Sequence, residues 1–280
     1  MPDSHTPDAP MTANKPKKKG LAFAHLSFMV SVITFLFLLG TMMLTHLEYI
    51  SIELGFSTLT LGIGPRMVMA ALAVAGISLL ISLFMCPSRC APWAFASVLI
   101  SGGMLGGYAW YHKELKDHPP IADVATNWDR PLSFSDKFMS QRGDNALPVE
   151  DLPRVPKNES MEWGGKTLAA INEATCPAAK TLQDRIIPED QIPAIVKALK
   201  EKHYIVFGTS PWRIEATYQD NFYGFKSDIV IRIDPRSVDV RSISRINMPD
   251  LGANCRRVTE VLGIIKALPV AAGSPTPQAD

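Results

Sequence analysis

The stretch DIVIRIDPRSVDVRSISR, residues 228–245, decides the fold of the polar half of this chain. Apolar and polar residues alternate in both of its halves, which is the pattern of β-strands with one buried face. The tetrad DPRS at residues 234–237 favours a tight turn between them. We therefore predict an antiparallel hairpin whose helix-covered face holds three opposing pairs: Ile233 with Val238, Ile231 with Val240, and Ile229 with Ser242.

The opposite parity of this hairpin carries charge. Arg232 would lie directly opposite Asp239, and such a cross-strand pair stabilises a sheet by roughly 0.2–1 kcal/mol. The whole predicted face combines arginines with carboxylates from three strands: Arg213, Glu215, Asp228, Arg232, Asp234, Asp239, Arg241 and Arg245. Such a face is either a solvated surface held by ion pairs or a binding site, because arginine forks bind planar oxyanions bidentately.

Further elements surround the hairpin in the sequence. Pro188, followed by Glu189 and Asp190, is typical of a helix start. Strands are predicted at residues 203–208, 212–218, 228–234 and 238–245, and a final helix at residues 251–268 with Asp250 as its cap. These elements predict a soluble α+β domain, residues 166–268, in which two helices cover one face of four antiparallel strands, followed by a disordered tail at residues 269–280.

Residues 113–165 form a connector that prolines repeatedly interrupt. Proline removes a backbone donor and fixes φ, so it breaks regular elements. We predict an extended piece at residues 121–126, and the rest of the connector either lies across the domain or is mobile.

The N-terminal half contains three apolar segments, residues 21–44, 67–85 and 92–111, and none of them includes an Asp, Glu, Lys or Arg. Each has about the 20 residues needed to cross a bilayer. We therefore predict an integral membrane protein: a disordered cytoplasmic tail at residues 1–19, a membrane domain of three transmembrane helices at residues 20–112, and the soluble domain beyond it.

Charges at the ends of the spans predict the orientation. Lysines at positions 15 and 17–19 precede the first span, and Arg89 lies between the second and third. Because positive residues are enriched in cytoplasmic loops, we expect a cytoplasmic N-terminus in a bacterial inner membrane and a periplasmic soluble domain. The first apolar run exceeds a signal-peptide core and no cleavage site follows it closely, so a retained anchor is expected.

Small residues line two of the spans. Gly102, Gly103, Gly106 and Gly107 form overlapping Gly-xxx-Gly pairs in the third, and Ala71 and Ala75 form a stripe in the second. Such stripes let helices approach closely. We expect them to pack within the chain, with self-association of two copies through residues 102–107 as the alternative.

The cysteines and the net charge limit the classes of function. Cys176 and Cys255 would share the oxidising side, where they either pair or remain two small apolar residues. Cys86 and Cys90 face the reducing side and lack the two further ligands that zinc needs. A net charge of +1 gives no field that would attract nucleic acid. The sequence has no metal-ligand spacing, Gly-rich phosphate loop or nucleophile elbow, so we expect no metal and no cofactor.

The hairpin also belongs to a longer pattern. That pattern comprises PPIADVAT (residues 119–126), GFKSD (224–228), DVRSISR (239–245), DLGAN (250–254) and the arginines at 256 and 257. With these residues the chain resembles, over residues 117–268, the family known as domain of unknown function 1499. Ser227 and Asn247 depart from that family's pattern, which weakens any site of paired carboxylates beside Phe225. The resemblance implies a domain and no particular reaction.

We expect a non-enzymatic, membrane-anchored envelope protein that binds a partner protein or an anionic small ligand through the charged face. The candidate binding residues are Arg213, Glu215, Asp228, Arg232, Asp239, Arg241, Arg245, Asp250, Asn254 and Arg256. The alternative is a hydrolase-like enzyme in which Asp228 or Glu215 acts as the base. Arg232 or Arg241 would then hold an oxyanion.

The run DLGAN is expected to be structural. Asp250 would cap the last helix, and Gly252 would let its first turn approach the sheet. Asn254 would bridge to the loop after the last strand. Arg256 or Arg257 would reach a carboxylate such as Asp228 or Asp239. The alternative is that the free N–H groups of this helix start bind an anion.

Overall fold

A computed structural model describes residues 15–143 and 145–269 of the chain. They belong to two compact units, Met1–Trp110 and Tyr111–Asp280. Most of the two tails predicted at residues 1–19 and 269–280 lies outside the described residues. The first helix nevertheless begins at Lys15, inside the predicted N-terminal tail.

The N-terminal unit is helical. Helix α1 spans Lys15–His46, α2 spans Gly64–Met85 and α3 spans Pro87–Asp117, and a π-helical segment, Glu53–Ile63, runs directly into α2. Three stretches are long and apolar enough to cross a membrane: Gly20–His46, Glu53–Met85 and Pro87–Asp117. The three predicted long apolar helices are confirmed, although the second apolar stretch begins earlier than predicted because the π-helical segment continues it. A disulfide joins Cys86, which lies between α2 and α3, to Cys90 in the first turn of α3, where two thiols were expected.

Hydroxyl and small side chains line the buried faces of these helices. On α1 the buried positions recur three, four or seven residues apart: Ala24, Ser27, Ser31, Thr34, Thr41 and Thr45. The Oγ of Ser31 lies 2.7 Å from that of Ser97 and 2.9 Å from that of Ser101. Lipid supplies no hydrophobic force between helices, so close packing and interhelical hydrogen bonds hold such interfaces together.

The glycines of α3 do not take part in this packing. No side chain, and no backbone of another described segment, lies within 4 Å of a β-carbon placed at Gly102, Gly103, Gly106 or Gly107. Ala71 and Ala75 are buried, as expected. The predicted packing of the glycines within the chain is therefore wrong, and their self-association with a second copy stays a prediction.

We call the interhelical contacts of Ser31 with Ser97 and Ser101 the hydroxyl seam. Substitutions at Ser31 test its contribution to stability. Ser31→Ala should cost about 0.6 kcal/mol for each interhelical hydrogen bond lost, and Ser31→Leu about 1–3 kcal/mol because the interface has no room for the larger side chain. The measurement is the unfolding temperature of the full chain in mild detergent. Phe35→Leu is the control, because Phe35 is 48% exposed on the outer face of α1. Equal unfolding temperatures for Ser31→Leu and the control would contradict the seam.

The C-terminal unit is built on one antiparallel sheet. Its strands are β1 (Asp123–Ala125), β2 (Leu182–Gln183), β3 (Tyr204–Ser210), β4 (Arg213–Gln219), β5 (Lys226–Asp234) and β6 (Ser237–Ser244). They are ordered β1-β6-β5-β4-β3, and β2 also pairs with β6. The hairpin register is as predicted, with Ile231 opposite Val240 and Arg232 opposite Asp239. Of the two additional strands, β1 lies inside the extended piece predicted at residues 121–126, and β2 comes from a segment without period-two alternation.

Helices cover the apolar face of the sheet. They are the predicted α6 (Ile192–Glu201) and α7 (Ala253–Ala267), together with α5 (Leu168–Thr175), which was not predicted. Thr167 caps α5 through a hydrogen bond from the Ala170 N–H to its Oγ1. One core joins this layer to the strands through residues such as Ile171, Ile195, Leu199, Ile229, Ile231, Val240, Leu262 and Ile265. The predicted α+β layer of helices on a sheet is confirmed.

A third layer covers the other face of the sheet. We call residues 126–150 the strap; it includes the short helix α4, Asp136–Met139, and its residue 144 lies outside the described residues. Leu132, Phe134 and Phe138 of the strap form a second apolar core with Val230 and Ile243. The segment predicted as a connector is thus part of the domain, because its apolar side chains bury against the sheet.

Candidate functional site

The charged face predicted from the hairpin lies inside the molecule. Asp228 and Arg241 are 0% exposed, Asp239 is 1% exposed and Glu215 is 5% exposed. The expectation of a solvent-facing surface is wrong because the strap covers it. The structure brings most of the predicted site residues together in this interface. Arg213 is only half-buried at the start of β4, and Asp250, Asn254 and Arg256 lie elsewhere, at the start of α7.

Arg241 links three segments. Its guanidinium donates to both carboxylate oxygens of Asp123 on β1, at 3.0 and 2.6 Å. It also donates to the main-chain oxygens of Leu132 and Glu150 in the strap, at 2.9 and 2.7 Å. Burial raises the pKa of Asp123, and the Arg241 guanidinium opposes that shift. The Arg241 guanidinium, which was expected to bind a ligand, instead binds groups of β1 and the strap.

Asp228 and Asp239 have similar roles. Asp228 accepts hydrogen bonds from Arg142 Nε of the strap at 2.7 Å, from Arg245 and from Thr217. Asp239 accepts from Arg232 Nη2 at 2.6 Å, which confirms the predicted cross-strand pair. Asp239 also accepts hydrogen bonds from the hydroxyls of Thr126 and Thr181 and from the side-chain amide of Asn127. Glu215 accepts from the backbone N–H and the hydroxyl of Ser135, at 2.5 and 2.6 Å.

The charges in this network cancel. Five guanidinium groups take part, those of Arg130, Arg142, Arg232, Arg241 and Arg245, and five carboxylates, those of Asp123, Glu215, Asp228, Asp234 and Asp239. Sequence reasoning missed Asp123, Arg130 and Arg142, which lie outside the hairpin. The charged face predicted from the sequence contains as many arginines as carboxylates. This balance is the signal in the sequence that its charges neutralise one another.

Asp250 caps the start of α7 as expected, but the helix begins two residues later than predicted. The Asp250 carboxylate accepts hydrogen bonds from the backbone N–H groups of Gly252 and Asn254, at 2.9 and 2.7 Å. The helix itself begins only at Ala253, because Leu251 and Gly252 have left-handed φ values of 52° and 73°. A β-carbon on Gly252 would lie 2.8 Å from the His118 ring, so Gly252 approaches His118 and not the sheet.

Asn254 and the arginines that follow it differ from the prediction. Asn254 is fully buried, donates to the main-chain oxygen of Ala122 at 2.8 Å and accepts from Ser242 Oγ at 2.7 Å. It therefore joins α7 to the sheet and not to the loop after Arg245. Arg256 donates to the Leu251 oxygen and Arg257 lies over the Tyr218 ring, so neither reaches Asp228 or Asp239.

A cavity of about 360 Å³ lies beside this helix start. Its lining comes from four separate parts of the chain: Lys116, Asp117, His118, Pro119, Ile121 and Val124, then Glu162 and Trp163, then Thr175 and Cys176, then Asp250, Gly252 and Cys255. Cys176 and Cys255 are joined by a disulfide, which settles the alternative that the sequence left open. No local motif marks this site, because its residues are distant in sequence.

The polar groups of the cavity are mostly hydrogen-bond acceptors. Nδ1 of His118 lies 3.1 Å from the main-chain oxygen of Glu114 and 3.4 Å from its carboxylate. Nε2 is turned toward Gly252, since a β-carbon there would lie 3.1 Å from it. Burial raises the pKa of Asp250, against the effect of its two backbone N–H partners and of Arg257. Asp117 and Glu162 are exposed at the rim.

A comparison with known families covers most of the C-terminal unit. A family model described as a protein of unknown function, DUF1499, matches residues 123–264, just over half the chain. The chain belongs to the DUF1499 family. No curated protein and no solved structure matches it. In this DUF1499 protein the matched segment begins with β1 and ends within α7, so it includes the strap and the whole neutral network.

The segment DVRSISR, which carries the resemblance to the family, has a structural explanation. Asp239 and Arg241 bind the strap and β1, Val240 enters the helix-covered core, and Ser242 bonds to Asn254. The hydrolase alternative with Asp228 and Arg241 would need the strap to open, because neither side chain has exposed surface. Within residues 15–143 and 145–269, no three His, Cys, Asp or Glu side chains are grouped as metal ligands.

Asp250→Asn tests the raised pKa through its pH dependence. The folded carboxyl binds its proton at a higher pH than the unfolded one, whose ordinary pKa is 3.8. Its stabilising contribution is therefore complete below that value and is lost as the pH rises through the folded pKa. Below neutral pH the wild type should gain free energy of unfolding relative to Asp250→Asn. A difference between the two proteins that stays constant from pH 8 to pH 4.5 would contradict this sign.

Proposed function

We propose that this DUF1499 protein is a membrane-anchored, non-enzymatic binding protein whose soluble domain takes a small ligand in the cavity beside His118. The observation that carries the proposal is the cavity itself. Its volume of about 360 Å³ falls in the range of roughly 300–1,000 Å³ that is usual for small-molecule sites. An apolar floor, formed by Ile121 and Val124, and a polar rim are also usual for such sites.

Binding without chemistry fits the residues of the cavity. The one hydroxyl among its lining residues, that of Thr175, donates to the Ile171 main-chain oxygen at 2.8 Å. An activated nucleophile would instead need a base within hydrogen-bond reach. Binding of a partner protein or an anion through the charged face stays a prediction, since it requires the strap to leave the sheet.

The proposal places the soluble domain in the periplasm of a bacterium and the N-terminus in the cytoplasm. Lysines at positions 15 and 17–19 support this orientation, and the Cys176–Cys255 disulfide suits an oxidising compartment. Alkaline phosphatase fused after Asp117 should be active, and a cytoplasmic reporter at the same site silent. The reverse pattern would overturn the orientation. It would also agree with an oxidised Cys86–Cys90 pair outside the cytoplasm.

A cavity-filling substitution tests the binding function. Thr175→Phe enlarges a residue that lines the cavity, and Ala174→Phe adds the same ring at the neighbouring position, which is also exposed but does not line the cavity. The full chain in mild detergent is heated with a panel of small cations, anions and neutral molecules. A ligand at 100 times its Kd stabilises the folded state by about 2.7 kcal/mol. At least one class should raise the unfolding temperature of the wild type and of Ala174→Phe but not of Thr175→Phe; if no class does, the proposal is wrong.

A further inference from the structure

We infer that the Cys176–Cys255 disulfide is a modification site, at which a small thiol enters the cavity and forms a mixed disulfide with Cys255. The inference goes beyond reversible binding, and it rests on the proposed function in one respect: the same cavity must admit a small molecule. Three features support it: the position of the disulfide, the unequal burial of its two cysteines, and a proton acceptor in the cavity wall.

The disulfide lies in the wall of the cavity. Both cysteines are among the lining residues, together with His118 and Thr175. A disulfide exchanges with a thiol only where the attacking sulfur can reach it, and a cysteine buried without access is inert. A recess of about 360 Å³ has the size of a small-molecule site. The reacting partner is therefore a small thiol rather than a cysteine on the surface of another protein.

The two cysteines differ in their access to the cavity. Cys176 is 3% exposed at the end of α5, whereas Cys255 is half-buried in the first turn of α7. An incoming thiol reaches the more exposed residue, so Cys255 is attacked and Cys176 is the leaving group. An S–S bond between the thiol and Cys255 replaces the original one, and the electron pair of the broken bond leaves with the Cys176 sulfur. That sulfur takes up the proton of the thiol, so the step needs no separate oxidant.

The cavity also contains a group that accepts the proton of the thiol. The Glu114 main-chain oxygen, 3.1 Å from Nδ1 of His118, can only accept a hydrogen bond, so Nδ1 carries the proton in the neutral ring. Nε2 is then the acceptor, and it is turned toward Gly252, the residue that immediately precedes α7. Because the thiolate and not the thiol attacks a disulfide, a proton acceptor beside this helix start favours the exchange.

Both cysteines are held in place by contacts other than the disulfide. The Cys176 N–H donates to the Asn172 main-chain oxygen at 2.8 Å, and the Cys176 oxygen accepts from the Ala179 N–H at 2.9 Å. Cys255 belongs to α7, which packs into the core through residues such as Val258. The released Cys176 thiol therefore stays near the mixed disulfide and can displace the captured thiol, so the modification is reversible.

The rate of exchange in the folded protein tests the inference. The full chain with Cys86→Ser and Cys90→Ser, which keeps the other disulfide, is treated in mild detergent with mercaptoethanol, quenched with an alkylating reagent and mapped by mass spectrometry. The rate should be proportional to the mercaptoethanol concentration and constant in urea below the unfolding transition, with the mixed disulfide on Cys255. Thr175→Phe should slow the exchange about tenfold by reducing access, and Ala174→Phe should leave it unchanged.

A purely structural disulfide would behave differently, because a thiol would reach it only when the chain opens. A rate that increases with urea in step with unfolding would overturn the inference. A mixed disulfide on Cys176, or equal rates for Thr175→Phe and Ala174→Phe, would overturn it as well. None of these results changes the outcome of the ligand panel that tests the proposed function. Exchange at Cys255, with no Thr175→Phe-sensitive ligand in that panel, would support the inference and overturn the proposed function.

Discussion

Arg241→Ala should lower the free energy of unfolding of the soluble unit by about 3–5 kcal/mol, which is the range for removing one partner of a buried ion pair. The substitution removes the guanidinium that pairs with the Asp123 carboxylate. Because Asp123 is only 2% exposed, water cannot replace that partner. It also leaves the main-chain oxygens of Leu132 and Glu150 without their donor. A protonated Asp123 relieves part of this cost, so the loss should be smaller at low pH.

The measurement is denaturant unfolding of the full chain in mild detergent, followed by near-ultraviolet circular dichroism. Arg256→Ala is the matched control: Arg256 is exposed and makes one hydrogen bond, to the Leu251 oxygen at 3.1 Å. Exposed substitutions of this kind change stability by about 0.5 kcal/mol or less. Wild-type stability in Arg241→Ala would show that this arginine does not hold the fold. The charged face of the sheet would then again be a candidate binding site.

The hairpin could be predicted from the sequence because its period of two assigns each residue to a face. Shifting the register by one residue would place Ile231 and Val240 on the wrong side, so burial of one face fixes the pairing. Parity does not say what lies on the other face. The apolar residues of the strap, such as Leu132, Phe134 and Phe138, follow no regular period and lie near prolines. Its contact with the sheet is therefore tertiary information.

The contacts between the three apolar helices and the formation of the cavity could not be predicted either, because they too depend on tertiary packing. Hydropathy predicted the three apolar helices, but the contacts between α1 and α3 are made by serines at positions 27, 31, 97 and 101 and not by the Gly-xxx-Gly pairs. A Gly-xxx-Gly motif shows that helices could pack closely at that place. It does not show that they do so. The cavity combines segments as distant as Lys116 and Cys255, so only the folded chain brings its residues together.

Removing the Cys176–Cys255 disulfide should destabilise the soluble unit by about 4 kcal/mol. The bond closes a loop with a sequence separation of 79 residues, and it acts mainly by limiting the conformational freedom of the unfolded chain. It joins the end of α5 to the first turn of α7, next to the Asp250 cap. The double variant Cys176→Ala, Cys255→Ala, and the wild type treated with reductant, should show the same lowered unfolding temperature.

The other disulfide provides a control within the same molecule. Cys86 and Cys90 are only 4 residues apart, so opening that bond frees very little chain. The double variant Cys86→Ser, Cys90→Ser should leave the transition of the soluble unit unchanged, and reductant should still lower it. If reductant has no effect on that variant, the long loop does not depend on its disulfide. If loss of the Cys176–Cys255 bond also abolishes ligand stabilisation while circular dichroism shows a folded domain, the bond holds the cavity as well as the fold.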